Sequence, residues 1–168
     1  MVSEDGRHGA ERLFWDPDVA IRRAATPPEP APARARMLVL SPDDSAIVAI
    51  LRTRPDREPY AVLPGGGLES VDADPLAGAL RELTEETGLQ GDHLDLMTSS
   101  VIVEDQQWIF LARARRRLPL RLGWPETGRD AGAHGTYEPV WLRPGDALEQ
   151  LRGGVHPDWI TGMIVAGR

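Results

Sequence analysis

The order of predicted elements favours an α+β or mixed-sheet sandwich over a regular alternation of strands and helices. Several short apolar, partly β-branched runs come first, one amphipathic helix follows, and then further strands precede a helical end. The length of 168 residues suits one domain with a proper core. Hydrophobic residues make up 41% and charged residues 27%, a balance typical of globular rather than disordered proteins.

The first part of the chain is predicted to lie outside this domain. Residues 1–33 contain an apolar patch, "LFWDPDVAI", and then "TPPEPAPAR", whose proline content indicates an extended linker. Residues 34–168 are expected to form the domain. The apolar patch is expected to dock on the domain or on a second subunit, the latter giving a homodimer through the N-terminal segment, with a loosely ordered tail as the alternative. Unchanged mass and stability after deletion of residues 1–33 would contradict the dimer.

Strands are predicted on both sides of the central helix. "RARMLVL" and "SAIVAIL" flank a turn and suit a hairpin, and "YAVLP" is a third strand before a glycine turn. After the helix come "LMTSSVIVE", "QQWIFLARA" and "TYEPVWL", of which the second carries bulky side chains suited to a central position. A short helix is predicted from Pro144 to Leu151, and another over "HPDWITGMIVAG".

The central helix is predicted to run from Pro75 to Thr87. Asp74 is the expected N-cap and Gly88 the residue that ends the helix. At about 100° per residue, four side chains fall within roughly 60° of one another and form the predicted buried stripe. These are Leu76, Leu80, Leu83 and Thr87.

Three glutamates, Glu82, Glu85 and Glu86, share another face of this helix. Their spacing makes the carboxylates neighbours, and each like-charge pair destabilises a helix by a few tenths of a kcal/mol. Two of them also lie in the last turn, where the helix dipole disfavours negative charge. A divalent cation would relieve the conflict, since Mg²⁺ prefers oxygen ligands and is commonly held by carboxylates together with substrate phosphates. The alternative is a solvated acidic face, partly neutralised by Arg81.

The string "RELTEETGL", with "GGGLE" upstream, resembles the signature of the Nudix hydrolase family. That signature is G-x5-E-x7-R-E-U-x-E-E-x-G-U, where U is a bulky aliphatic residue, and the resemblance runs from Gly66 to Leu89. A chance match at five fixed positions is on the order of one in a million per starting point.

One position departs from the signature. Counting back from Arg81 places Ala73 where the first glutamate belongs, whereas counting forward from Gly66 places Asp72 there. A one-residue insertion in "SVDADP" reconciles the two counts, with Asp72 or Asp74 in place of that glutamate.

The resemblance implies an α+β fold with a Nudix-like mixed sheet between helices. It also implies metal-dependent hydrolysis of the diphosphate linkage in a nucleoside diphosphate derivative, such as a nucleotide sugar, a dinucleoside polyphosphate or a modified nucleoside triphosphate. The expected cofactor is Mg²⁺, with Mn²⁺ as a substitute. The implied metal ligands are Glu82, Glu85, Glu86 and the backbone carbonyl of Gly65.

Catalytic roles are assigned to Glu82, Glu85 and Glu126. Some family members take the general base from a later loop, and here the segment from Leu122 to Gly135 offers Glu126, Asp130 and His134. Glu126 is our candidate, with an ordinary exposed loop acid as the alternative. Supporting positions are Arg81, Gly66 and Asp72. Arg52 and Arg54 end a strand ahead of the glycines and are candidate phosphate contacts, with a solvated strand end as the alternative.

Composition excludes several other classes of function. A formal net charge of −7 argues against broad binding to large nucleic acids or anionic membranes. The absence of cysteine removes disulfides, thiolate metal sites and thiol nucleophiles. No apolar run approaches the roughly 18 residues of a membrane span, and the start lacks a signal pattern, so a cytoplasmic protein is expected. A nucleotide-binding module without hydrolysis is the competing interpretation, but the intact glutamates favour the enzyme.

Overall fold

The computed structural model describes residues 31–104, 107–123 and 135–152. Its elements are β1 (Arg34–Leu40), β2 (Ile47–Arg54), β3 (Arg57–Val62), β4 (Gly65–Gly67), α1 (Pro75–Thr87), a 3₁₀ turn (Gly91–His93), β5 (Leu94–Glu104), β6 (Gln107–Ala114), β7 (Thr136–Leu142) and α2 (Pro144–Gln150). Residues 1–30, the loop with Glu126 and the predicted closing helix lie outside these ranges. No helix within them is long and apolar enough to cross a membrane.

The seven described strands form one mixed sheet. Its main path runs β3-β2-β1-β6-β5, while β4 also pairs with β1 and β7 pairs with β2. β1 and β2 make the predicted antiparallel hairpin, and β1 pairs in parallel with β6 over its whole length. β6 therefore takes the predicted central position, and its parallel pairing makes the sheet mixed.

The glycines after β3 form a strand where the sequence predicts a turn. At the end of β1, Leu40 pairs with Ile47 of β2. At the start of β1 the partner is instead β4, with Arg36 opposite Gly65. The chain leaving β3 thus enters the space between β1 and β2. A side chain would prevent this at Gly65, where φ is 145° and an added Cβ would lie 2.2 Å from the Ala35 carbonyl oxygen.

Helices cover both faces of the sheet, as predicted. Ala147 of α2 belongs to the core on one face, together with strand residues such as Leu38 and Ala49. On the other face, Leu83 of α1 packs in a second core with Met37 and its neighbours. In the predicted stripe of α1, Leu83 and Thr87 are fully buried, while Leu76 and Leu80 pack partly buried beside them. Because this stripe packs against the sheet, the orientation of the glutamate face of α1 is fixed.

Candidate active site

The ends of α1 fix the position of its acidic face. Asp74 is the N-cap, and its Oδ1 accepts a hydrogen bond from the Ala77 N–H at 2.8 Å. At the other end, Gly88 adopts a left-handed conformation with φ of 75°, and its N–H donates to the Thr84 carbonyl at 2.9 Å. Both predicted helix ends are confirmed.

The acidic face of α1 lies against β4. The Gly65 N–H donates to Glu86 Oε2 at 2.9 Å. A Cβ added at Gly66 would lie 2.5 Å from Glu82 Oε1, whereas one added at Gly67 would meet nothing within 4 Å. A side chain at Gly66 would therefore require the Glu82 carboxylate to move.

Arg81 joins the acidic face to the loop before α1. Its Nη1 donates to Glu82 Oε1 at 3.1 Å and to Glu85 Oε2 at 3.4 Å, so these two carboxylates share one guanidinium nitrogen. Its Nη2 donates to the Gly67 carbonyl at 3.1 Å. Hydrogen bonding to Asp72, then to Glu82, raises the pKa of Arg81. This cation offsets the repulsion within the glutamate cluster and ties that cluster to β4.

Of the two loop aspartates, Asp72 and not Asp74 contacts Arg81, which also forms a longer ion pair with Glu69 at 3.6 Å. Arg81 Nε donates to Asp72 Oδ1 at 3.0 Å and Nη2 donates to Oδ2 at 3.1 Å, which makes a two-point ion pair. The Asp72 side chain is only 5% exposed and also accepts from the Glu69 N–H at 2.7 Å. The hydrogen bond from Arg81, followed by that from Glu69, holds the pKa of Asp72 below its ordinary value. Because Asp74 caps the helix, the two acids have separate positions.

Arg36, which is not among the predicted site residues, is a further charged residue beneath the site. It is 8% exposed, donates from Nη1 to the Leu63 carbonyl at 2.7 Å and from Nε to the Gln107 side chain. Burial, followed by repulsion from Arg34, lowers its pKa, against attraction from Glu86 and Glu82. The available signal was the alternation of "RARMLVL", which places Arg36 in register with the buried Leu38 and Leu40.

The two candidate phosphate contacts lie in different surroundings. Arg54 Nε forms an ion pair with Asp56 Oδ1 at 3.0 Å at the turn into β3. Arg52 instead stacks on Tyr137, with its guanidinium carbon 3.9 Å from the ring centroid. Both arginines lie near Tyr60, whose ring centroid is 5.9 Å from the Arg52 guanidinium carbon and whose side chain, after Asp56, raises the pKa of Arg54. Among the described residues, Arg54 has an acidic partner and Arg52 has none.

Glu126 lies outside the described residues, but both ends of its loop are anchored. The Gly123 N–H donates to the Glu85 carbonyl at 2.7 Å. At the other end, Gly135 has φ of 76°, and an added Cβ would lie 2.0 Å from the Thr53 carbonyl oxygen. The loop thus begins at the backbone of a predicted metal ligand and ends against β2.

The donor set on α1 suits a hard divalent cation in its chemistry. Carboxylate oxygens are the ligands that Mg²⁺ prefers, and the Glu82 and Glu85 side chains are only 16% and 24% exposed. As the side chains stand, no group of three or more acidic or histidine residues in the described ranges is arranged to hold a metal ion. Glu82 and Glu85 are turned to Arg81, and Glu86 to Gly65.

Solved structures with the same fold cover most of this chain. RenU, a Nudix hydrolase from M. smegmatis, is 19% identical with a TM-score of 0.57, over 80% of this chain and 85% of its own. A C. elegans Ap4A hydrolase is 14% identical with a TM-score of 0.52, over 80% and 93%. The NUDIX domain of Shewanella oneidensis NrtR, complexed with ADP ribose, is 15% identical with a TM-score of 0.53, over 88% and 98%. At these identities the similarity shows the fold.

A mixed sheet between helices, with a glutamate-bearing helix packed on a glycine strand, is the Nudix-like fold that the sequence predicts. The sequence matches the NUDIX domain family over residues 31–159. That match covers more than half of the 168 residues, and the chain belongs to this family. No curated protein matches the sequence.

The Asp72–Arg81 ion pair makes the stability of the fold depend on pH. Because the pKa of Asp72 is lower in the folded protein, its contribution is fully present above the unfolded value of about 3.9 and is lost as pH falls through the folded pKa. Asp72→Asn is therefore expected to lower the free energy of unfolding at pH 7. The difference from the wild type should shrink below about pH 4.

Urea unfolding between pH 7 and pH 3 measures this difference. Asp95→Asn is a suitable control, because Asp95 forms an ion pair with Arg115 in which both side chains are well exposed, at 65% and 59%. A deficit in Asp72→Asn that stays constant throughout the acid range would contradict the assignment.

Proposed function

We propose that this protein hydrolyses the diphosphate linkage of a nucleoside diphosphate derivative in a reaction that depends on Mg²⁺. The observation that carries the proposal is the contact of Glu82 and Glu86 with β4, where Gly65 donates to Glu86 and Gly66 leaves room for Glu82. This contact holds the carboxylates of two proposed metal ligands beside a strand that has no side chains.

The proposed metal ligands are the carboxylates of Glu82, Glu85 and Glu86 and the carbonyl of Gly65, with Mn²⁺ able to replace Mg²⁺. A bound divalent cation neutralises phosphate charge and lowers the pKa of a coordinated water. Arg81 acts as a positioning residue, since its contacts with Asp72 and Gly67 fix the guanidinium that touches Glu82 and Glu85. Glu82 is the alternative to Glu126 as the group that accepts the water's proton.

The substrate class rests on the family and on the names of the structural relatives. We favour a nucleotide sugar or related diphosphate, in keeping with the ADP ribose complex of the NrtR domain. Dinucleoside polyphosphates and modified nucleoside triphosphates are the other candidates, the first in keeping with the Ap4A hydrolase. A substrate panel scored for released phosphate products would distinguish them. A cytoplasmic location belongs to this proposal, and cell fractionation tests it.

The helix glutamates supply the first test of the activity. Glu85→Gln and Glu86→Gln keep the size of each side chain but remove a negative charge, so turnover should fall by about 100-fold or more. The rate should also need more Mg²⁺ to reach saturation. Initial rates against Mg²⁺ concentration, with the best substrate of the panel, measure both effects.

Glu149→Gln serves as the matched control, because Glu149 is an exposed glutamate on α2, the helix that covers the opposite face of the sheet. Unchanged turnover in both the Glu85 and Glu86 variants would contradict the proposal that the protein is an enzyme. It would leave the alternative, a module that binds a nucleotide without hydrolysing it.

Glu126 is proposed as the general base, from the anchoring of its loop. Gly123 is hydrogen-bonded to the Glu85 backbone, and three residues span at most about 10 Å. The Glu126 carboxylate is therefore within reach of the glutamate cluster. Glu126→Gln is expected to lower kcat by roughly 100- to 10,000-fold and to alter the acidic limb of the pH–rate profile.

Asp130→Asn and His134→Gln are the comparisons within the same loop. Both should leave kcat close to that of the wild type. If Glu126→Gln retains full turnover, or if one of the comparison variants loses it instead, the assignment to Glu126 is wrong.

A further inference from the structure

Arg52 lies between two tyrosines on the surface of the sheet. It is opposite Tyr137 of β7 on one side and opposite Tyr60 of β3 on the other. Its guanidinium carbon is 3.9 Å from the Tyr137 ring centroid and 5.9 Å from that of Tyr60. The shorter distance is a close cation–π stack, which fixes the plane of the guanidinium against Tyr137.

Arg52 has no acidic partner in the described part of the chain. Arg54, Arg81 and Arg113 each form an ion pair with an aspartate. Arg52 forms none with any residue in the described ranges, and its buried Nε has no hydrogen-bond partner. A buried donor without a hydrogen-bond partner is unfavourable, because it has lost its bonds to water. Within the described ranges, Arg52 is thus a cation without an acidic partner.

Arg52 and Tyr137, here called the Arg52 cluster, lie on the same face of the sheet as α1. Val48 and Trp141 both pack in the core beneath α1. Arg52 lies four residues beyond Val48 in β2, and Tyr137 lies four residues before Trp141 in β7. Strand side chains alternate with a period of two, so Arg52 and Tyr137 share the α1 face. Tyr60 lies five residues before Gly65, so these two residues are at most about 17 Å apart.

We propose that Arg52 binds a phosphate group of the substrate and that Tyr137 acts as the positioning residue that holds its guanidinium ready. Stacking occupies the face of a guanidinium and leaves its in-plane N–H donors for an anion, which an arginine can bind through two hydrogen bonds. The inference rests on the proposed function, because the phosphate assigned to Arg52 belongs to the diphosphate substrate proposed above. It assigns the nucleotide phosphate, and not the base, to this cluster.

Binding of methylenediphosphonate, a diphosphate analogue with a non-hydrolysable P–C–P bridge, tests the inference. Isothermal titration calorimetry with the full chain and saturating Mg²⁺ gives its dissociation constant. Arg52→Met should weaken binding by about 10-fold or more, through loss of a charge-assisted hydrogen bond. Tyr137→Leu should weaken it by about 3- to 10-fold, and Tyr137→Phe, which keeps the ring, should bind like the wild type.

The double variant separates a positioning role from direct contact. If Tyr137 acts through Arg52, adding Tyr137→Leu to Arg52→Met causes no further loss. An equal loss in both backgrounds would show that the ring touches the ligand itself and would overturn the inference. So would a wild type that does not bind the analogue, or a Tyr137→Phe variant as weak as Tyr137→Leu. Circular dichroism checks folding, and Arg52→Lys, which keeps the charge without the planar fork, should give an intermediate loss.

Failure of this inference and failure of the proposed function give different results. A protein that hydrolyses its substrate equally well with Arg52→Met retains the function and loses the phosphate site. A protein that binds the analogue in an Arg52-dependent manner but hydrolyses no member of the substrate panel retains the site and loses the function.

Discussion

The close contact between α1 and the glycine strand β4 is the constraint on which the rest of the structure depends. The Gly65 N–H donates to Glu86, and a methyl group at Gly66 would occupy the place of the Glu82 carboxylate. The contact exists because β1 and β2 diverge beyond their pairing at Leu40 and Ile47, so that the chain leaving β3 can pair with β1. The sheet topology therefore sets the position of the glycine strand. Because that strand has no side chains, the glutamates can approach its backbone closely.

The crowded acidic face of α1 is stabilised by groups outside that face. Arg81 shares one nitrogen between Glu82 and Glu85, and Asp72 holds the guanidinium from the loop side. Asp72 has a shorter side chain than the glutamate of the family signature, and it is one residue farther from the arginine along the chain. The extra residue lies in the loop ahead of α1, so Asp72 still reaches Arg81. Loop, helix and strand thus meet at Arg81, and a change in any of the three should disturb the glutamates.

Local signals in the sequence predict the elements that depend on local physics. The ends of α1 follow from Asp74, Pro75 and Gly88, because capping and left-handed geometry are properties of a few adjacent residues. The pairing of Gly65–Gly67 with β1 depends on residues about 30 positions away, and a run of three glycines indicates only a flexible turn.

Counting residues could not decide between Asp72 and Asp74, because both fit an insertion in the same loop. Their hydrogen bonds separate them, since one contacts Arg81 and the other caps α1. The burial of Arg36 and the stack of Arg52 on Tyr137 also depend on pairing between distant strands. The role of Glu126 stays a prediction, since the residue lies outside the described ranges.

Binding of Mn²⁺ tests most directly whether the contact between α1 and β4 builds a metal site. Electron paramagnetic resonance of free Mn²⁺, titrated with wild type, Gly66→Ala and Gly67→Ala, gives the affinity of each protein. The wild type should bind Mn²⁺, and Gly66→Ala should bind it about 10-fold more weakly, since the added methyl displaces the Glu82 carboxylate. Gly67→Ala should match the wild type, because its methyl meets nothing within 4 Å. Equal affinity in all three proteins, or no binding by the wild type, would contradict a metal site at this contact.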